Sequence, residues 1–298
     1  MWIEAKDPSF RFLVSWLPAK TGSYPAPFSP RPTAVRFFRP MTTTASSSGL
    51  TAPLSATATQ EILARFYRDG SVIVPGVLGA EECARLRAIT DEIAKTDPSF
   101  IIREPEEKNL AFVELFIREP ILSLVRAVLG PAARFCAANV IRTVPGQAIS
   151  HWHVDDIVEY PLPPDIPRWP APLPLPWLSV QVALSDIPTL EDGPTEIVPG
   201  SQLSGRDSPK EDPVFEGQAA VPLFCRAGDI YLFNHQVWHR GSPNTGKRTR
   251  YLMQLQYARG DNPAYRMRGT VRTAALERIL ANADPALREF MYAEAKYR

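Results

Sequence analysis

The sequence predicts a mainly β protein, a barrel or sandwich with flanking helices, and three observations carry that expectation. From Arg134 onward the apolar residues fall in short runs of strand length, separated by Gly, Pro, Asn and Asp. Between about residues 57 and 130 they fall instead at helical spacing. Residues 160–176 carry so many prolines that too few amide donors remain for a helix or an interior strand, so a loop must interrupt the β region.

The first 56 residues show no sustained period and end in a Thr/Ser-rich run after Met41, which reads as a disordered lead-in, with Met41 an alternative start. Arg31, Arg36 and Arg39 with nearby serines give this segment part of the character of a transit peptide. Glu4 and Asp7 count against it, so the cytoplasm is the expected location and an organelle the alternative.

The folded domain is expected over 57–298. Its helical preface, 57–130, opens with a capped amphipathic helix that presents Ile62, Leu63 and Phe66 and stops at Asp69-Gly70. A short strand follows at 71–75. A second helix runs from about Ala80 to Lys95 with Cys83, Leu86, Ile89 and Ile93 on one face. A third, from Pro120 to Leu129, uses a proline where the first turn tolerates it and ends at Gly130-Pro131. Within the core, 131–258, strands are expected at 134–143, 149–155, 177–184, 195–198, 219–224, 229–234 and 249–257. Two short helices, 274–280 and 285–291, close the chain within the segment 259–298. The loop 160–176, with Tyr160, Ile166 and Trp169, is either a lid facing a substrate or a surface crossover that touches none.

Composition narrows the partners. Among 298 residues, 33 basic and 32 acidic side chains leave a net charge of +1, too little for a field that attracts nucleic acid or an anionic membrane. No run of about 18 apolar residues exists, so no membrane-spanning helix is expected. Cys83, Cys136 and Cys225 lie far apart without a C-x-x-C spacing, which favours a reducing compartment over a disulfide framework or zinc knuckle. A small molecule is the remaining partner, and oligomeric state is not legible.

The chemistry gathers on the histidines, of which there are 4. In an extended segment the period-two alternation puts His151, His153 and Asp155 on one face, so an imidazole and a carboxylate converge. A ferrous centre that must keep positions open for O₂ and a co-substrate takes two His and one carboxylate in this way. The third ligand then comes from His235 or His239. Beyond His239 a Gly/Pro/Asn-rich turn leads to Arg248 and Arg250, and antiparallel strands joined by that turn would bring an arginine beside the metal to grip a carboxylate.

These stretches resemble the phytanoyl-CoA dioxygenase family of non-haem Fe(II)/2-oxoglutarate oxygenases over residues of about 58 to 258. The features are FYRDGSVIVPGVL at 66–78, the H-x-D at His153 and Asp155, ALSDI at 183–187 with EDGPTEIVPGS at 191–201, and His239 with Asn244 and Arg250. The family often has Gly-Ser-His where this chain has Gly200-Ser201-Gln202, a position outside the metal set.

The resemblance implies a double-stranded β-helix, or cupin-like jelly roll, with the metal inside its mouth. It implies His153, Asp155 and His239 as Fe(II) ligands and Arg250 as partner of the 2-oxoglutarate distal carboxylate, with Arg248 the nearby alternative. O₂ is the other co-substrate, ascorbate a stimulant, and hydroxylation of a small organic molecule with release of succinate and CO₂ the implied reaction. The carboxylate at Asp155 argues against halogenation, which needs that position for chloride. Gln181 and Ser150 are candidates for further co-substrate hydrogen bonds, as are Asn139, Ser179 and Thr195. His151 and His235 read better as packed histidines than as ligands, and Trp152 as core. The alternatives to an oxygenase are a non-catalytic jelly roll that binds a ligand, and a zinc hydrolase, which lacks a dedicated general base.

Overall fold

A computed structural model describes residues 49–147, 149, 151–261 and the single positions 277, 281 and 285. The described stretches belong to one compact unit, and residues 1–48, where most of the expected lead-in falls, lie outside them. The expected helices 274–280 and 285–291 also lie outside them, as does Ser150.

Helices come first. α1, Ala56–Asp69, starts one residue before the expected Thr57, because Ser55 is the residue whose side chain accepts from Ala58 N. It ends on Gly70 in the left-handed region, φ 80°, with Gly70 N donating to Phe66 O. α2 spans Ala80–Ala94, α3 Leu110–Val113 and α4 Ile121–Leu129. α3, a single turn capped by Asn109, is too short for a periodic signal.

The strands are β1 Ser71–Val74, β2 Ile101–Arg103, β3 Arg134–Thr143, β4 Trp177–Ala183, β5 Thr195–Ile197, β6 Val214–Phe215, β7 Gln218–Ala219, β8 Val221–Pro222, β9 Ile230–Phe233, β10 His239–Gly241 and β11 Arg250–Ala258. They form a six-stranded sheet in the order β1-β9-β4-β11-β3-β2, a three-stranded sheet β10-β5-β8, and the hairpin β6-β7. The predicted run 219–224 is broken, since Pro222 has no N–H to continue a ladder and Val221–Pro222 pairs with β5 alone.

Alternation along each strand sorts the large sheet into two faces. Leu178, Val180 and Val182 of β4, Ile230 and Leu232 of β9, and Met253, Leu255 and Tyr257 of β11 pack outward against Ile62 and Phe66 of α1, Leu86 of α2 and Leu124 of α4. Full burial of each such aliphatic or aromatic side chain contributes about 1.5–3 kcal/mol, so this helix-covered face is where most stability resides. The inward face is thinner. Ile73, Ile141, Ala183, Tyr231, Phe233 and Leu252 meet Ile197 and Leu223 of the small sheet side in a second cluster. Two sheets facing across this layer make the jelly roll, mainly β with flanking helices, that the sequence predicts.

Two expectations fail. Residues 149–155 form no regular strand; only the isolated bridge His153↔His239 remains, and Asp156 at φ 58° turns the chain away. β10 and β11 are also not a hairpin, because β10 joins the small sheet through β5 and β11 joins the large one between β3 and β4. The turn between them crosses from one sheet to the other, with Asn244 Nδ2 donating to Thr143 O at 2.8 Å to pin it on β3.

None of residues 160–176 of the proline-rich loop lines the inter-sheet cavity. Arg206 straps the loop, donating to the carbonyls of Pro163, Pro164, Ile166 and Pro167. Charge-assisted hydrogen bonds contribute about 1.5–3 kcal/mol each when well shielded and less at this partly exposed site. Loss of even 1.4 kcal/mol of local stability, about one factor of ten, raises the population of the open loop correspondingly. In limited proteolysis Arg206→Ala is therefore expected to be cut by trypsin at Arg168 roughly tenfold faster than wild type. An unchanged rate would show that the loop's own prolines hold it.

Candidate metal and co-substrate site

Between the sheets lies a cavity of about 650 Å³. One end holds His153, Asp155 and His239, whose potential ligand atoms lie within 4.8 Å of one another. His153 and His239 are joined by reciprocal backbone hydrogen bonds of 3.0 Å, which bring two residues distant in sequence to adjacent positions. Their rings stand 4.0 Å apart. Asp155 is set by its own N–H, which donates to His235 O at 2.8 Å.

Each imidazole commits Nδ1 to a backbone carbonyl, His153 to His151 O and His239 to Val237 O, both at 2.9 Å. That fixes the tautomer and leaves both Nε2 lone pairs directed at Asp155 Oδ1, at 3.8 and 3.6 Å. Asp155 Oδ2 is buried with no hydrogen-bond partner among the described residues. A carboxylate left this way costs stability unless a cation completes it, and two imidazoles with one carboxylate suit a ferrous ion. Burial raises the Asp155 pKa, but the imidazoles, His239 foremost, outweigh it and hold the group below the usual carboxylate range. Burial and the neighbouring His239 lower that of His153. Both shifts favour the metal-ready forms.

Arg250, at the start of β11, is 4% exposed and lines the same cavity. Its Nη1 donates to Gly193 O and its Nη2 to Thr143 Oγ1 at 3.1 Å, while Nε has no partner among the described residues. Gly193 sits at φ 69°, and a Cβ there would stand 2.9 Å from Ser242 O, so glycine is what lets its carbonyl reach the guanidinium. Burial lowers the Arg250 pKa from the usual arginine value. No described carboxylate pairs with it. A buried guanidinium without an anion is costly to maintain. Arg248 points outward, 61% exposed at its side chain, and pairs with Asp192 at 2.8 Å.

The remaining candidates divide. Gln181 is buried in the cavity wall with Oε1 unpartnered, and Asn139 and Thr195 also line it. Ser179 accepts from Gln181 Nε2 at 3.2 Å. His151 is exposed. His235 is fully buried against Trp177, rings 4.5 Å apart, with Nδ1 donating to Trp177 O. Trp152 is core, as expected, with Arg240 stacked 4.9 Å above it. The reading of the histidines and arginine missed Arg103, Glu104, Gln254 and Gln256 in the cavity wall. A signal existed, because 250, 252, 254 and 256 share one strand face.

A His/carboxylate/His cluster and a buried arginine thus share one cavity inside a jelly roll, the arrangement that the resemblance to non-haem Fe(II)/2-oxoglutarate oxygenases implies. Residues 66–251 match the phytanoyl-CoA dioxygenase (PhyH) family, and this chain belongs to it.

Solved structures share the fold. HygX from Streptomyces hygroscopicus, with nickel and 2-oxoglutarate bound, superposes with a TM-score of 0.56 at 22% identity, covering 70% of this chain and 88% of that one. SnoN, a non-haem α-ketoglutarate-dependent epimerase of nogalamycin biosynthesis, gives 0.53 at 21% identity over 68% and 84%. In sequence, the uncharacterized protein Mb1539 of Mycobacterium bovis is 32% identical over 71 residues, 24% of this chain and only 25% of that protein's length. The same figures hold for Rv1501 of Mycobacterium tuberculosis.

Burial depresses the His235 pKa to about 4. Against about 6.5 in the unfolded chain, the unfolded state takes up the proton first as pH falls. Stability is therefore intact above about pH 6.5 and is lost toward pH 4, by roughly 3 kcal/mol at 1.36 kcal/mol per unit. Thermal denaturation of metal-free protein from pH 7.5 to 4.5 is expected to show a fall that His235→Gln flattens. Parallel curves would place the acid sensitivity elsewhere.

Proposed function

We propose that this oxygenase hydroxylates a small organic molecule, with His153, Asp155 and His239 holding Fe(II) and Arg250 binding the distal carboxylate of 2-oxoglutarate. The observation that carries the reading is the pairing, in one cavity, of an incomplete donor set with an unpaired buried guanidinium. Neighbouring structures that hold iron, or nickel with 2-oxoglutarate, support it. When bound, iron and 2-oxoglutarate supply the oxidation: O₂ is consumed, succinate and CO₂ leave, and one oxygen atom enters the substrate.

The chain's share is placement and exclusion of water. The backbone bridge between His153 and His239 and the Asp155 N–H to His235 hold three donors in place before any ligand arrives. Arg250 offers a planar donor fork, oriented by Gly193 and Thr143, to a carboxylate. Ile141, Phe233 and Leu252 give the cavity an apolar wall around the reacting centre, which strengthens the charge interactions inside. Gln181, through its unpartnered Oε1, is the nearest candidate for an added hydrogen bond to co-substrate, and Ser150 keeps its candidacy from sequence alone. Ascorbate, as a reductant, is expected to stimulate. Three buried free thiols fit a cytoplasmic site of action. No helix among the described residues is long and apolar enough to cross a membrane.

Succinate release that requires Fe(II) and 2-oxoglutarate tests the reading. His153→Ala or His239→Ala is expected to abolish it, whereas His151→Ala, at an exposed ring, retains much. Arg250→Ala leaves a buried carboxylate unpaired at a cost of about 3–5 kcal/mol, so the apparent 2-oxoglutarate constant rises by roughly two to three orders of magnitude or more. Iron binding survives that change, and Arg250→Lys rescues only part of it. Arg248→Ala is near normal. Iron and 2-oxoglutarate binding without any succinate would instead indicate a non-catalytic ligand-binding jelly roll.

A further inference from the structure

The cavity continues along β11 beyond Arg250 toward the level of the metal ligands, since Gln256 shares a register row with Ser179 and Phe233, whose ring stands 4.6 Å from that of His239. Along β11 the inward residues are Arg250, Leu252, Gln254 and Gln256, all of which line it. At about 3.3 Å per residue, Gln254 lies roughly 13 Å and Gln256 roughly 20 Å from Arg250 along the strand. Gln256 thus lies beyond the span of a five-carbon diacid held by Arg250.

This far end is built from carboxamides. Gln254 pairs in register with Asn139 of β3 on one side and Gln181 of β4 on the other, and Arg103 of β2 stands next in the row beside Asn139. Asn139 Nδ2 donates to Gln254 Oε1 at 2.8 Å, which leaves Asn139 Oδ1 and Gln254 Nε2 as an adjacent acceptor and donor. The side-chain amide of Gln256 makes no hydrogen bond among the described residues, and the register of β11 with β3 shifts immediately after it, between Gln256 and Tyr257. At the rim, Glu104 holds a left-handed backbone, φ 52°, fixed by its N–H to Ala138 O at 3.1 Å. A non-glycine residue in that region stores strain of the kind that collects at ligand sites.

Resting on the oxygenase reading above, we infer that the primary substrate is a neutral, polyhydroxylated small molecule of sugar or cyclitol type, read by the carboxamides of Asn139, Gln254 and Gln256. Each carboxamide offers both a donor and an acceptor, which matches hydroxyl groups that both give and take a proton. A hydrocarbon acyl chain in the same place would cover these dipoles without pairing them, which is unfavourable for each group stranded. Sites built to bond hydroxyls reject analogues that lack them by large factors for this reason.

The experiment measures succinate release by the Fe(II)-loaded protein with and without added compound, across hexoses and inositols on one arm and acyl-CoA thioesters and free fatty acids on the other. The readout is the ratio of release with and without compound, so a partly unfolded variant lowers both values and leaves the ratio. At least one polyhydroxylated compound is expected to raise the ratio several-fold, while acyl compounds do not. Gln254→Leu and Gln256→Leu are expected to raise its half-saturating concentration tenfold or more. Gln256→Glu, which keeps an acceptor, is expected to lose less than Gln256→Leu. Stimulation by an acyl compound, no stimulation by any polyhydroxylated one, or half-saturation unmoved by both leucine variants would overturn the inference. Absence of succinate in every condition would instead overturn the oxygenase reading on which it rests.

Discussion

The paired hydrogen bonds between the backbones of His153 and His239 are the constraint on which the site depends. His153 lies in a segment without regular strand structure, and this one bridge is what ties it to β10. Two neutral backbone hydrogen bonds contribute only about 1–3 kcal/mol net, little against the entropy of ordering the loop around them. The bridge holds because both partners are anchored elsewhere. β10 is paired with β5, Trp152 and Val154 pack with Trp238 in a separate apolar cluster, and Asp155 hangs from His235 O. The cluster of Trp152, Val154 and Trp238 thus does for the ligand loop what a ladder does for a strand, with the apolar neighbours of the ligands buried and the ligands themselves turned to the cavity.

Polar groups stranded inside the cavity are the counterpart of that rigidity. Asp155 Oδ2, Gln181 Oε1 and Arg250 Nε are all buried without a hydrogen-bond partner among the described residues. Each such group costs on the order of 1–3 kcal/mol, more where it is charged. The fold bears this because the opposite face of the large sheet is a continuous apolar cluster sealed by α1, α2 and α4. Stability and function are therefore separated across one sheet: odd and even positions of the same strands serve different ends, as Tyr251, Met253 and Leu255 against Arg250, Leu252 and Gln254 show.

Much of this was legible in the sequence. β3 matches the expected 134–143, and β4, β9 and β11 fall within a residue of expectation, because long apolar runs bounded by turn residues leave little choice. β2 and β10 are too short, at 3 residues each, to carry a period. The segment 149–155 looked like a strand since its residues alternate, yet it finds only one pairing partner, so alternation without an available edge gave a loop. His153 and Asp155 converge all the same, while His151, placed on the same face by that argument, is exposed. Arg248 and Arg250 could not be separated by parity. The structure separates them because β11 starts at Arg250, leaving Arg248 in the preceding turn beside Asp192.

The central claim is that one cavity joins a metal at His153, Asp155 and His239 to a carboxylate at Arg250. A crystal structure grown without oxygen, with Fe(II) and 2-oxoglutarate present, addresses it most directly. The account predicts metal density within bonding distance of His153 Nε2, His239 Nε2 and an Asp155 carboxylate oxygen, and a carboxylate paired with the Arg250 guanidinium in the same cavity. Metal held by other residues, or a co-substrate whose distal carboxylate lies away from Arg250, would contradict it.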